Sequence, residues 1–243
     1  MTTGIIVALP EELSTLTAKR LVPGECSLIS ENALVVHAGT GPVNAIKASE
    51  LLLAKGSSKL ISWGCAAALD SSLSAGDLCL PKTIITENQQ RYPTHSAWQR
   101  HTTKLLSGLQ PISSGSLSES SSIVATIFDK KNLYDTIGSV ALDMESAAIA
   151  KVAHEANIPF LVIRAIADPA NMHMPKAVIQ ALNNEGSVDI KKLLVYLLTH
   201  LHEIPCLIKL GLAFRLARKK LKSVAHKLES IISFPVASEL LDT

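Results

Sequence analysis

The stretch ALDMESAAIAKVAHEANIPFLVIRAIAD, residues 141–168, restricts the fold of this chain more than any other. An apolar run at 139–142 leads into a segment at 144–155 that has no Gly or Pro and closes on Asn157 and Pro159, a helix stop signal. A second apolar run follows at 160–166. Strand, helix and strand within about 30 residues read as a βαβ unit, whose crossover makes the two strands parallel. Both runs are continuously apolar, as strands covered on two faces should be.

The front half repeats this alternation. Residues 4–9 (GIIVAL) form a short β-branched run ended by Pro10, and residues 33–38 (ALVVHA) a second, closed by Gly39-Thr40-Gly41. Helical spacing covers 43–55, residues 59–64 (KLISWG) read as a third strand, and 77–87 as extended chain interrupted at Pro81. Residues 88–101 read as loop then helix, and the serine-rich 113–122 as an active-site loop. The predicted class is α/β: a three-layer α/β/α sandwich with a mixed, mostly parallel sheet. After Pro175 the signals become helical. Leu210, Phe214, Ala217, Leu221, Val224, Leu228 and Ile231 form one stripe of a long helix whose other faces carry Arg215, Arg218, Lys219, Lys220, Lys222 and Lys227. Residues 1–205 are therefore expected to form one α/β domain, and 206–243 a basic, amphipathic helical extension of it.

At 243 residues with 47% hydrophobic content the chain can bury a core without disulfides or metal. Cys26, Cys65, Cys79 and Cys206 are scattered in apolar runs with no metal-ligand spacing, which predicts reduced core thiols, a cytoplasmic setting and no metal. The first residues lack the basic start of a signal peptide, and no apolar run reaches the ~18 residues of a membrane span. A formal charge of +2 offers nothing to nucleic acid.

In an open α/β sheet, ligands bind beyond the carboxyl ends of the strands. Those ends carry Glu11 and Glu12, then Asp143, Met144 and Glu145, then Asp168, with Arg164 inside the last strand. Each has a structural alternative. Asp143 and Glu145 suit a helix start, Asp168 before Pro169 suits a turn, and Glu11 and Glu12 suit a solvated helix start. The loop HAGTGPVNA invites a dinucleotide reading but has Asn44 in place of the third glycine, and the next strand ends without an acid. No G-x-S-x-G occurs.

Together these pieces resemble the nucleoside phosphorylase superfamily. GIIVALPEE is similar to the opening strand of the methylthioadenosine/adenosylhomocysteine nucleosidases, and ALDMESAAIAKVAHEANIPFLVIRAIAD to their D-M-E-(S/G)-A helix and following strand. A closer likeness, through HAGTGPVNA, LISWGCAAALDSSLSAGDLCLP and the tail from Ala167 onward, is to the hopanoid-associated phosphorylases. The resemblance implies roles. Glu145, beside Met144, would accept hydrogen bonds from ribose hydroxyls, and Asp168 would protonate the purine at N7. Glu12 would position and activate water. Arg164, which beside Asp168 would oppose its protonation, is placed by that argument behind Glu145, while the resemblance has Gly64 to Ala67 line the ribose and base pocket, Gly64 and Ala66 touching substrate. It also implies a small nucleoside substrate, a homo-oligomer and no cofactor, with phosphate as the alternative co-substrate to water.

Three departures stand out. The family serine before the acid is Ala167, the expected Ala-Gly-Gly loop reads Ala66-Ala67-Ala68, and Arg20 and Arg91 sit in no phosphate motif. The hopanoid subgroup implies adenine removal from adenosylhopane, a membrane-resident substrate. The C-terminal stripe then has two uses: packing on the domain, or lying on the inner membrane surface with its lysines toward headgroups. The alternatives are a methylthioadenosine/adenosylhomocysteine nucleosidase and a nucleoside-binding relic without turnover.

Overall fold

A computed structural model of the chain describes residues 2–109, 111–181 and 188–235. The strands are β1 (Thr2–Val7), β2 (Cys26–Ser30), β3 (Ala33–His37), β4 (Ser57–Ala68), β5 (Leu78–Cys79), β6 (Thr83–Ile85), β7 (Arg91–Pro93), β8 (Ile112–Ser113), β9 (Leu117–Glu119), β10 (Ala141–Asp143) and β11 (Phe160–Asp168). The helices are α1 (Pro10–Leu13), α2 (Pro42–Ala54), α3 (Ser96–Leu105), α4 (Ile127–Ile137), α5 (Ser146–Glu155), α6 (Lys176–Ala181), α7 (Ile190–Thr199), α8 (Ile204–Ala225) and α9 (Leu228–Ile232).

All these strands join one mixed sheet, with six parallel and four antiparallel pairings among the described residues. Helices cover both faces. Successive strand side chains point to opposite faces, so β11 sends Val162 and Ile166 into one core and Leu161, Ile163 and Ala165 into the other. The first core is closed by α2 and α5, where Ala45 and Ala48 face Ala147, Ala148, Ala150 and Ala153. Those small side chains let α5 lie close behind the end of β10. The second core is closed by Leu13 of α1, Trp98 of α3, Ala217, Leu221 and Val224 of α8, and Leu228 and Ile231 of α9.

The organising strand is β4. It is 12 residues long, outruns its neighbour β1 after Ser62, and pairs along its other edge with β11. The edge that β1 leaves free is taken by β10, running antiparallel. The expected parallel βαβ unit is therefore not formed: β10 and β11 flank the end of β4 and run in opposite senses. Strand–helix–strand spacing fixes no sense when the two strands meet only through a third.

Other boundaries also shift. Ala66-Ala67-Ala68, expected as a loop, are the last residues of β4, held by β11 and β10. The serine-rich stretch contains β9. The long C-terminal helix breaks at His226 and Lys227 into α8 and α9, yet its stripe from Ala217 to Ile231 is buried against the sheet. The cysteines are free, but Cys206 is exposed on α8 and is no core thiol. Residues 182–187 and 236–243, within the expected helical tail, lie outside the described residues.

Candidate active site

Several cavities are present among the described residues, from about 240 to about 470 Å³, so size does not single out a site. Two of about 240 Å³ differ in chemistry. One, lined by His95, His154 and Phe160 beside α5, has no carboxylate in its wall. The other lies beyond the ends of β1, β4, β10 and β11, and its wall holds Glu12, Glu145 and Asp168 together with Ala66, Met144, Ile123 and Met174. Three acids far apart in sequence thus share one space.

Glu12 is brought there by the turn after β1. Pro10 starts α1, and Glu12, at its third residue, reaches back so that Oε2 accepts the amides of Ala8 at 3.0 Å and Leu9 at 3.1 Å. Its Oε1 accepts the Cys65 amide at 2.7 Å. The side chain is buried, not the solvated helix start of the alternative reading. Burial pushes its pKa up, against the opposing pull of Arg164 and the three amides.

Asp143 and Glu145 divide the labour at the mouth of α5. Asp143 Oδ1 accepts the amide of Ser146, the first residue of α5, at 3.0 Å, and its Oδ2 lies 2.7 Å from Arg164 Nε. Glu145 turns into the cavity, where Oε1 accepts the Gly41 amide at 2.9 Å. Burial, then the nearby charge of Asp143, pushes the Glu145 carboxyl up to about 7.

Arg164 is fully enclosed. It donates to Ser62 Oγ at 2.8 Å and Ser146 Oγ at 3.1 Å, and its chief acid is Asp143, with Glu145 at 4.0 Å. Burial opposes its charge, but Asp143, Glu12 and Glu145 outweigh that and keep it cationic. Gly64 is not in the cavity wall, contrary to expectation. It lies behind, where a Cβ would fall on Arg164 Nη1 and Glu12 Oε1. Its function is to leave space for them, while Cys65, Ala66 and Ala67 form the wall. Arg20 and Arg91 are exposed and outside it. Of the serine-rich stretch only Ser122 reaches the wall, followed by Ile123 and Val124.

Asp168 ends β11. Its Oδ1 accepts Lys130 Nζ at 2.6 Å, from the first turn of α4, which Thr126 caps by accepting the Asp129 amide. Lys130 was not foreseen. In the run DKKN it is indistinguishable from Lys131, yet its side chain is 0% exposed and that of Lys131 is 70% exposed.

A family model described as the phosphorylase superfamily matches residues 2–199. The chain belongs to the phosphorylase superfamily. A 5'-methylthioadenosine/S-adenosylhomocysteine nucleosidase of Staphylococcus haemolyticus (strain JCSC1435) is 29% identical, the match covering 69% of this chain and 86% of that one. Among solved structures, an S-adenosylhomocysteine nucleosidase from Streptococcus pyogenes superposes with a TM-score of 0.70 at 20% identity, covering 97% of this chain and 98% of that one. A futalosine hydrolase of Helicobacter pylori strain 26695 does so with a TM-score of 0.68 at 17% identity, covering 95% and 97%. This superfamily member is an enzyme that cleaves the N-glycosidic bond of a nucleoside.

Proposed function

We propose that the enzyme hydrolyses an adenine nucleoside bearing a large apolar 5′ substituent, with adenosylhopane the favoured substrate. The observation that carries the reading is the convergence of Glu12, Glu145 and Asp168 on one cavity. As the bond from C1′ to N9 breaks, its electron pair goes to the base and the sugar becomes oxocarbenium-like. Asp168 gives a proton to N7, which lowers the leaving-group cost by a typical ~10²–10⁴-fold. Glu145 accepts hydrogen bonds from the ribose hydroxyls and supplies negative field where positive charge grows. Glu12 holds a water against C1′ and takes its proton as the new bond forms.

Water is favoured over phosphate by the surroundings of Glu12. The amides of Ala8, Leu9 and Cys65, which could have bound an anion, are all occupied by its carboxylate. A phosphate there would also face Glu145.

The apolar substituent is favoured by a surface feature. Ile204, Ile208, Leu212 and Leu216 recur every fourth residue on α8 and are exposed, as are Ile190, Leu194 and Leu198 on α7. Exposed Lys191, Lys192, Lys209, Arg215 and Lys219 lie among them. This face suits an anionic bilayer, apolar residues inward and cations at headgroups. A second copy of the chain would instead set these cations against each other. The buried stripe from Ala217 to Ile231 is not available for that contact.

The deciding experiment is a product assay on adenosylhopane, methylthioadenosine and adenosylhomocysteine, with and without phosphate. Adenine and a free ribosyl product from adenosylhopane are expected, without need of phosphate. A ribose 1-phosphate product would overturn the hydrolytic assignment. Faster turnover of methylthioadenosine or adenosylhomocysteine would replace the substrate.

A further inference from the structure

Resting on that reading of Asp168 as the acid, we propose that Lys130 is a positioning residue for departure of the base. Its ammonium holds one oxygen of Asp168 and sets how readily the other gives up its proton.

A lysine is almost never fully buried unless paired. Lys130 spends all three of its protons inside the protein: on Asp168 Oδ1 at 2.6 Å, Met172 O at 2.9 Å and Pro169 O at 3.0 Å. The two carbonyls belong to the turn that follows Asp168, so one ammonium fixes the acid and the chain that carries it. Where a serine would orient the acid in the resembled pattern, this chain has Ala167, whose methyl group can donate nothing. Lys130 supplies the missing donor from another element. Asp168 Oδ2 has no hydrogen-bond partner among the described residues and is the oxygen left for a substrate.

Stability is a weak reason to keep such a pair, because buried ion pairs are often no better than apolar contacts of the same shape. Its place at the cavity wall is a better one. Burial raises the proton affinity of Asp168 and Lys130 opposes it; Lys130 is itself disfavoured as a cation by burial and kept charged by Asp168. Glu12, Asp143 and Glu145 line the same cavity from α1, the end of β10 and the start of α5, but Lys130 is the charged group in contact with Asp168. When Oδ2–H passes to N7, the carboxylate that forms stays paired with the ammonium. Lys130 loses no proton, and a solvent proton restores Asp168 after the base has left.

The test uses the full chain, methylthioadenosine as probe and K130M beside wild type. We expect kcat to fall about tenfold or more with little change in KM. The alkaline limb of the pH profile should move to higher pH, because an acid without its cation holds its proton longer. With 4-nitrophenyl riboside, whose leaving group departs without a proton, the loss should be markedly smaller. Unchanged kcat and alkaline limb, or equal losses on both substrates, would overturn the proposal and leave the enzyme reading intact. A wild-type protein that releases base from no nucleoside would overturn both. If K130M does not fold, D168N and K130M/D168N are compared on 4-nitrophenyl riboside. Rates within about twofold support action through Asp168, and a further loss of about tenfold refutes it.

Discussion

At the residue scale, the site is a set of carboxylates held at different cost. Asp143 is neutralised by Arg164 and a helix start, whereas Glu145 has one amide and a more distant guanidinium. Its raised proton affinity has a consequence for stability. Below the ordinary carboxylate value of 4.5 both folded and unfolded chains hold the proton. Between 4.5 and about 7 the folded chain holds it more tightly, so stability from this group falls as pH rises through that window and then levels off. E145Q keeps an acceptor for the Gly41 amide and removes the titration. Its melting temperature should match wild type near pH 4 and exceed it at pH 8. A gain on the order of 1 kcal/mol corresponds to roughly 2–4 °C in a chain of this size. Thermal melts across that range check it; a variant equally destabilised at every pH would show that Glu145 is not a strained acid. On the proposed function, activity should be lost in the same variant, since the ribose would lose its charged acceptor.

At the element scale, α8 has two apolar faces with different duties. Ala213, Ala217, Leu221 and Val224 are buried against the sheet, while Ile204, Ile208, Leu212 and Leu216 face outward. L221A should cost about 2–5 kcal/mol in unfolding free energy, the usual range for emptying a core leucine site. L212E should cost less than about 1 kcal/mol, as exposed substitutions do. On vesicles containing phosphatidylserine the order should reverse: L212E should weaken sedimentation with the lipid, and refolded-competent L221A should not. Binding that survives L212E together with I208E would remove the bilayer from the proposal. A change in oligomeric state on L212E would reassign the face to a second copy of the chain. No single helix among the described residues is long and apolar enough to span a membrane; the segments Ile190–Thr199 and Leu201–Ala225, bent by 113°, reach that length and composition only as a pair.

At the scale of the whole molecule, the cavity is assembled from segments far apart between Ala8 and Met174, with walls from β1–α1, the end of β4, the α5 mouth and the end of β11. A nucleoside bound there holds these elements together only in the folded state, so it must stabilise the fold by mass action. At a hundred times its dissociation constant a ligand adds about 2.7 kcal/mol, which predicts a rise of roughly 5–10 °C in melting temperature. Adenine nucleosides should give that rise and pyrimidine nucleosides should not; equal shifts from both would show that the base is not read. The sequence by itself determined the class of fold, because continuously apolar β-branched runs have few places to go except a sheet covered on both faces. It also determined which strand ends carry acids, so Glu12, Glu145 and Asp168 were legible as candidates. Three things were decided only in tertiary structure. The place of β10 depends on the edge that β4 leaves free beyond β1, where β10 pairs antiparallel, and no local pattern encodes that. Gly64 serves Arg164 and Glu12 from behind the wall, a matter of space and not of spacing. Lys130 and Lys131 look alike in the chain, and the first becomes the partner of Asp168 because helix rotation points it inward, where burial makes an ammonium costly without a carboxylate beside it.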